Sequence, residues 1–169
     1  MKRFIFPLAL CLCLLAVVSQ HNTVAAKDTW VSVRTKNFFL IGNGGDKEVK
    51  RVGLKLEQFR EVFTRLFPNI KFNTPVPTTV VVFKNDSSFG PFKARPNSAG
   101  YFQSGPDVNY IALTTDPNYE EPYSTIFHEY THLLVNNTFS NAPLWFNEGL
   151  AEYYSTFQIS DDKKIVLGS

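Results

Sequence analysis

Residues 128–132 read His-Glu-Tyr-Thr-His, and this spacing constrains the local fold more than any other feature of the chain. Positions i and i+4 of an α-helix lie on the same face, one turn apart, so a helix brings both imidazoles to one point. The chain contains 3 histidines, and this pattern uses two of them within one short segment. A helix that presents His128 and His132 on a common face is therefore the first expectation.

Two imidazoles at one point are the beginning of a tetrahedral zinc site, which takes nitrogen, sulfur or carboxylate ligands. Glu129 follows the first histidine and is turned by about 100° around the helix axis. From there its carboxylate can approach a water molecule at the metal without binding the metal, as a general base does. We expect one Zn²⁺ ion, with His128 and His132 as ligands and Glu129 as the catalytic base.

Residues 147–152 read Asn-Glu-Gly-Leu-Ala-Glu and offer a third ligand. Glu148 lies sixteen residues after His132, which suits a helix, a short turn and an antiparallel return helix. Glu152 lies one turn further along the same face. We expect Glu148 to bind the metal and Glu152 to accept the free ring N–H of a ligand histidine. A solvated helix glutamate is the other interpretation of Glu152.

Strand-like and helix-like segments alternate along the chain, which predicts an α+β fold with a mixed, twisted sheet and helices packed on one side. Residues 30–41 are rich in β-branched and aromatic side chains and predict one strand, or two strands broken near Lys36. Apolar residues recur every three or four positions over 47–67 and predict a helix. The other predicted elements are a buried central strand at 78–83, an irregular loop at 84–98, a hairpin with strands at 99–103 and 109–114, helices at 122–136 and 143–156, and the opening of a strand at 165–167.

The first 26 residues have the three-part pattern of a secretory signal peptide. A basic start is followed by an uncharged run over 4–18, and small residues at 17–19 and 24–26 offer cleavage sites. An uncleaved membrane anchor is the alternative, but the run is shorter than a span of about 20 residues and contains Pro7. We expect cleavage, no stable membrane insertion afterwards, and a secreted or periplasmic protein.

Removal of this segment leaves a domain over 27–169, about 143 residues with equal numbers of basic and acidic side chains and no cysteine. The net charge of +2 for the whole chain gives no electrostatic argument for nucleic acid. If His21 is also removed, both remaining histidines belong to the 128–132 pattern, which core packing explains poorly. A peptide or protein is the expected partner. The oligomeric state, and whether the domain is complete at its C-terminal end, stay open.

The two motifs, HEYTH at 128–132 and LWFNEGLAE at 144–152, together resemble those of the gluzincin zinc metallopeptidases. The second motif is similar to the M1 aminopeptidase pattern, and its last glutamate is similar in position to a carboxylate of the thermolysin pattern. The strong part of the match covers 99–156 and is similar also to the peptidase-MA-like domains of secreted bacterial proteins. The resemblance implies a thermolysin-like zincin core with His128, His132 and Glu148 as zinc ligands, Glu129 as general base and Glu152 as partner of a ligand histidine.

The resemblance also implies that the strand at 109–114 is an edge strand beside the cleft, where an extended peptide substrate pairs through its main chain. The spacer between the two motifs is shorter than is common in those families, and the aminopeptidase Gly-x-Met-Glu-Asn motif is absent. No further histidine is available as a transition-state stabiliser, so a tyrosine hydroxyl is a candidate donor to the oxyanion. The candidates, each with aromatic packing as its other interpretation, are Tyr101, Tyr123, Tyr153 and Tyr154.

The function that these patterns predict is a secreted zinc-dependent peptidase that uses metal-activated water and a glutamate base. A metal-binding but non-hydrolytic periplasmic or surface module is the alternative, favoured by the short sequence after Thr156. Glu129 favours the enzyme, because a binding module needs no base beside the metal. A structural helix pair without metal is the third interpretation.

Overall fold

The computed structural model of the protein describes residues 28–160, except 71, 73, 120, 121 and 140, together with 164–168. The predicted signal peptide lies outside the described residues. In this part of the chain, no helix combines the length and the apolar character that a membrane span requires.

A five-stranded mixed sheet forms the centre of the fold. Its strands are β1 (Val31–Arg34), β2 (Phe38–Gly42), β3 (Thr78–Phe83), β4 (Gly100–Gln103) and β5 (Asn109–Thr114). The order across the sheet is β1-β2-β3-β5-β4. The two outer pairs are antiparallel, and β3 runs parallel to β2 and β5. The predictions of an α+β fold, a mixed sheet, a break near Lys36 and a hairpin at 99–114 are confirmed.

Three long helices lie close to the predicted positions: α1 (Asp46–Leu66), α3 (Ser124–Thr138) and α4 (Leu144–Ser155). A short helix, α2 (Asp86–Phe89), and a 3-10 turn (Gly90–Phe92) occupy the segment that was expected to be an irregular loop, so that expectation is wrong there. The physical reason is a capping residue, because the Asn85 side chain accepts a hydrogen bond of 3.0 Å from the Ser88 amide at the first turn of α2. Two further short strands, β6 (Gln158–Ile159) and β7 (Ile165–Val166), pair separately, which confirms the expected strand at 165–167.

The long helices cover one face of the sheet, as predicted, and α2 lies against the other. Alternate strand residues face the helices and are fully buried, among them Leu40, Val80 and Ile111. An aromatic cluster joins the helices, with Phe59 of α1 stacked on Phe127 of α3 at 4.5 Å between ring centroids. Because Phe127 precedes the first histidine of the motif, this packing fixes the helix that carries the candidate site.

The expectation that the strand at 109–114 is the edge strand is wrong. β5 lies between β3 and β4, so β4 is the edge strand on this side of the sheet. Of the six residues of β5, five are buried, which requires cover on both faces and a neighbour on each side. Gly100 lets β4 approach α3 closely, because a Cβ there would lie 2.8 Å from Cδ1 of Ile126 and 2.9 Å from the Ala112 carbonyl oxygen.

Candidate metal centre

The helix hairpin α3–α4 brings the two motifs together. α3 carries His128 and His132 on the side that faces α4, and the chain turns back between Phe139 and Pro143. Pro143 precedes the first helical residue of α4, and its carbonyl accepts hydrogen bonds from the amides of Phe146 and Asn147. This start directs Glu148 towards the two histidines.

Three ligand atoms form a compact triangle at this hairpin. Nε2 of His128 and Nε2 of His132 are 3.1 Å apart. Oε2 of Glu148 lies 3.7 Å from the first nitrogen and 3.6 Å from the second. Zinc bonds of about 2.0–2.1 Å in tetrahedral geometry separate ligand atoms by about 3.3 Å. Two imidazoles and a carboxylate are also donors that zinc accepts, so the residues present fit one Zn²⁺ ion.

The triangle is open to solvent on one side. The His128 and His132 side chains are 25% and 19% exposed, and the Glu148 side chain is 54% exposed. A catalytic zinc site uses three protein ligands and keeps one position accessible, whereas a structural site is closed. The exposure of this triangle is therefore typical of the catalytic kind.

Asn147 supports one of the two histidines, a role that the sequence motifs alone did not predict. Its Oδ1 lies 2.9 Å from Nδ1 of His132, and its Nδ2 donates to Oδ1 of Asn136 at 2.8 Å. Such partners orient a metal-binding imidazole and select its tautomer. The signal in the sequence was the position of Asn147, directly before the expected ligand Glu148.

Glu152 lies near the other histidine, as expected, but does not form a hydrogen bond to it. Oε2 of Glu152 is 3.7 Å from Nδ1 of His128, beyond the usual range of 2.7–3.2 Å. The Glu152 side chain is also 81% exposed. The structure thus leaves Glu152 in loose contact with Nδ1 of His128, without the expected hydrogen bond.

Glu129 lines a groove along the outer edge of the sheet and is not one of the three grouped ligand residues. The groove has a volume of about 380 Å³ and lies between α3 and β4. Glu129 and Thr125 contribute the helix side, and the segment 100–103 contributes the strand side. The candidate base therefore adjoins both the ligand His128 and a surface that can accept an extended peptide.

The four candidate tyrosines occupy different environments. Tyr123 and Tyr154 are buried in the core, and this burial raises the pKa of both hydroxyls. The ring of Tyr101 stacks on Phe89, on the sheet face opposite the long helices. Tyr153 is 48% exposed on α4. Aromatic packing therefore accounts for Tyr123 and Tyr154, and Tyr153 has the most accessible ring of the four.

A larger apolar groove, of about 550 Å³, lies at the start of α4. Phe139, Trp145 and Phe146 form much of its wall. The described residues that line it include no titratable group. It offers contact surface but no chemistry, so the hairpin and the groove at Glu129 form the candidate site.

A comparison with protein-family models finds no match to this chain, and a comparison with curated proteins finds none either. The resemblance to gluzincins therefore stays a prediction that rests on the two motifs.

Proposed function

We propose that this protein is a zinc-dependent peptidase with a thermolysin-like zincin core. The observation that supports the proposal is that Glu129, which directly follows the ligand residue His128 on α3, lines the groove along β4. An extended peptide adds to a free strand edge through main-chain hydrogen bonds. A peptide bound there would lie beside the base Glu129, whose neighbour in the chain is the ligand residue His128.

Each residue of the site has a distinct role in this proposal. His128, His132 and Glu148 hold the ion. The ion, when bound, polarises a carbonyl group and lowers the pKa of a water molecule towards neutrality. Asn147 Oδ1 accepts a hydrogen bond from Nδ1–H of His132, which leaves the Nε2 lone pair free for the metal.

Glu129 moves the proton. Its carboxylate accepts a proton from the attacking water, whose oxygen forms a bond to the peptide carbonyl carbon. The carbon–nitrogen bond then breaks, and Glu129 delivers the proton to the leaving amine. Glu129 ends as a carboxylate, so one cycle consumes one water and yields one acid and one amine.

The location and the substrate follow from the same proposal. The signal-peptide pattern over the first 26 residues supports a secreted or periplasmic protein. The groove along a strand edge supports a peptide or an unfolded protein segment as substrate, since a folded surface lacks a free extended backbone.

Zinc content and hydrolysis of a mixed peptide pool test the proposal together. We expect Glu129→Gln to bind zinc as the wild type does and to lose about 10²–10⁴-fold in turnover. Glu148→Ala is expected to lose the metal. Glu61→Gln is the matched control, because Glu61 pairs with Arg65 on the exposed side of α1. Turnover that survives Glu129→Gln would contradict the proposed base.

The same two measurements separate the competing functions. Stoichiometric zinc without hydrolysis in the wild type would indicate a non-hydrolytic metal-binding module. A protein without zinc would indicate a purely structural helix pair.

A further inference from the structure

We propose that the groove beside β4 recognises a carboxylate of the substrate through the guanidinium group of Arg95. This inference rests on the proposed peptidase function and adds a substrate class to it. The carboxylate belongs to an acidic side chain or to the C-terminus of the peptide, and the two sources share the same chemistry.

The charges along the groove carry the argument. Of the described residues that line the groove, Arg95 and Glu129 are the charged ones. Arg95 takes part in none of the ion pairs between described residues. A guanidinium group has a planar fork of donors that matches a carboxylate with two hydrogen bonds. Arg95 is therefore a cation on the groove with its donors available to a ligand.

The turn that carries Arg95 is held in place. The Arg95 carbonyl accepts a hydrogen bond of 3.1 Å from the Ser98 amide, which closes a turn over 95–98. From just outside this turn, Lys93 Nζ donates a hydrogen bond of 2.9 Å to the carbonyl of Pro96, which lies in it. Because the turn is already fixed, it loses less conformational entropy when a ligand binds.

Lys93 also connects this turn to the rest of the fold. Its ammonium group lies 2.5 Å from Oδ1 of Asp86 and 2.7 Å from the Tyr119 hydroxyl. The Lys93 side chain is only 10% exposed. The charge of Lys93 is thus used within the protein, whereas the charge of Arg95 faces the groove.

Edge pairing and charge recognition complement each other. Main-chain hydrogen bonds to β4 hold any extended peptide and carry no information about its side chains. Glu129 repels a carboxylate close to the base, so a substrate carboxylate is favoured beside Arg95. The groove would then select acidic substrates over basic ones.

Peptide binding without turnover tests this inference. Fluorescein-labelled, C-terminally amidated alanine-rich hexapeptides carry one Glu, Gln or Lys, placed at each position in turn. They are titrated against the Glu129→Gln protein by fluorescence anisotropy. We expect the best Glu peptide to bind about three- to fivefold more tightly than its Gln counterpart, as for an exposed ion pair, and the Lys peptide to bind least well.

Two variants and one chemical change sharpen the test. Arg95→Gln is expected to make the Glu and Gln peptides equal, and Arg34→Gln is the control, because Arg34 lies on β1 at the opposite edge of the sheet. A Gln peptide with a free C-terminus is compared with its amide. Preference for the Glu side chain identifies a side-chain carboxylate, and preference for the free terminus identifies the chain end.

The outcomes distinguish this inference from the peptidase proposal. Equal binding of all peptides, no measurable binding, or a preference that survives Arg95→Gln would overturn carboxylate recognition, even if the wild type hydrolyses peptides. An Arg95-dependent preference in a protein that never hydrolyses a peptide would support carboxylate recognition and contradict the peptidase proposal.

Discussion

The side-chain amide of Asn147 is oriented at both ends, with Oδ1 2.9 Å from Nδ1 of His132 and Nδ2 2.8 Å from Oδ1 of Asn136. An amide oxygen accepts and an amide nitrogen donates, so in this orientation Asn147 accepts a hydrogen bond from Nδ1 of His132 and donates one to Asn136. Nδ1 of His132 must then carry the proton. Its Nε2 keeps a lone pair directed at the position shared with His128 and Glu148.

The first prediction concerns this amide. Asn147→Ala removes the acceptor that fixes the His132 tautomer, and we expect zinc affinity to fall by about 10–100-fold. Competition against a fluorescent zinc chelator measures the change. Asn137→Ala, at an exposed position of α3, serves as the control. Equal zinc affinity in the Asn147→Ala and Asn137→Ala proteins would show that the contact does not orient the ligand.

The second prediction is that Glu152 matters less than Asn147 for zinc. Its contact to His128 is 3.7 Å long and its side chain is 81% exposed, so solvent screens the interaction. We expect Glu152→Gln to weaken zinc binding by no more than about fivefold, as for other exposed pairs. The same chelator competition tests this. A loss as large as that of Asn147→Ala would mean that metal binding draws Glu152 into a tighter contact.

Local patterns predicted most elements of this fold because their causes are local. The period of apolar residues predicted α1 to within one residue at each end, and the HEYTH spacing predicted the shared face of His128 and His132. The continuous apolar run at 78–83 likewise predicted a central strand. Each of these features depends only on residues that lie close together in the sequence.

Strand order and the groove depend on residues far apart in the sequence, so local patterns did not predict them. β5 pairs with β3, about thirty residues earlier in the chain, and this pairing moves it from the expected edge to the interior. Arg95 and Glu129 come to line one groove only after β4 takes the edge position. Burial of five of the six β5 residues requires a neighbouring strand on each side. In the sequence, the apolar run over 111–113 indicates this burial.

The third prediction tests the close approach of β4 to α3. Gly100→Ala would place a methyl group 2.8 Å from Ile126 and 2.9 Å from the Ala112 carbonyl. Such overpacking destabilises a fold by about 1–3 kcal/mol, and we expect that loss in urea unfolding. Gly90→Ala is the control, because Gly90 has helical dihedral angles and open space around its Cα. A Gly100→Ala protein as stable as the control would contradict the packing of this edge.

The fourth prediction concerns the aromatic cluster beneath the site. Phe59 is 1% exposed and stacks on Phe127, the residue before His128. We expect Phe59→Ala to cost about 3–5 kcal/mol of unfolding free energy, the usual cost of emptying such a core position. Leu54→Ala on the same helix is expected to change it by less than about 0.5 kcal/mol, because Leu54 is exposed. Equal losses of unfolding free energy in the two variants would contradict the burial of Phe59 in the core.

The fifth prediction is a pH dependence of stability from the network that holds the Arg95 turn. The Lys93 ammonium and the Tyr119 hydroxyl donate hydrogen bonds to Asp86 and hold the pKa of its carboxyl below its ordinary value. The same contact to Asp86 raises the pKa of Lys93. The carboxyl therefore contributes stability above its unfolded pKa of about 3.9, and this is lost as the pH falls through the lower folded value. The ammonium contributes below about 10.4, and its share is lost as the pH rises through the higher folded value.

Asp86→Asn removes the carboxylate charge that both shifts require. The difference in unfolding free energy between the wild type and Asp86→Asn is therefore expected to be largest between about pH 5 and pH 9 and to shrink below about pH 3. Urea unfolding at pH 7 and at pH 3 measures it. Metal release at low pH affects both proteins alike, so the difference between them isolates the ion pair. Asp107→Asn, at an exposed turn position, is the control. A difference that is the same at both pH values would mean that Asp86 acts through its hydrogen bonds alone, without its charge.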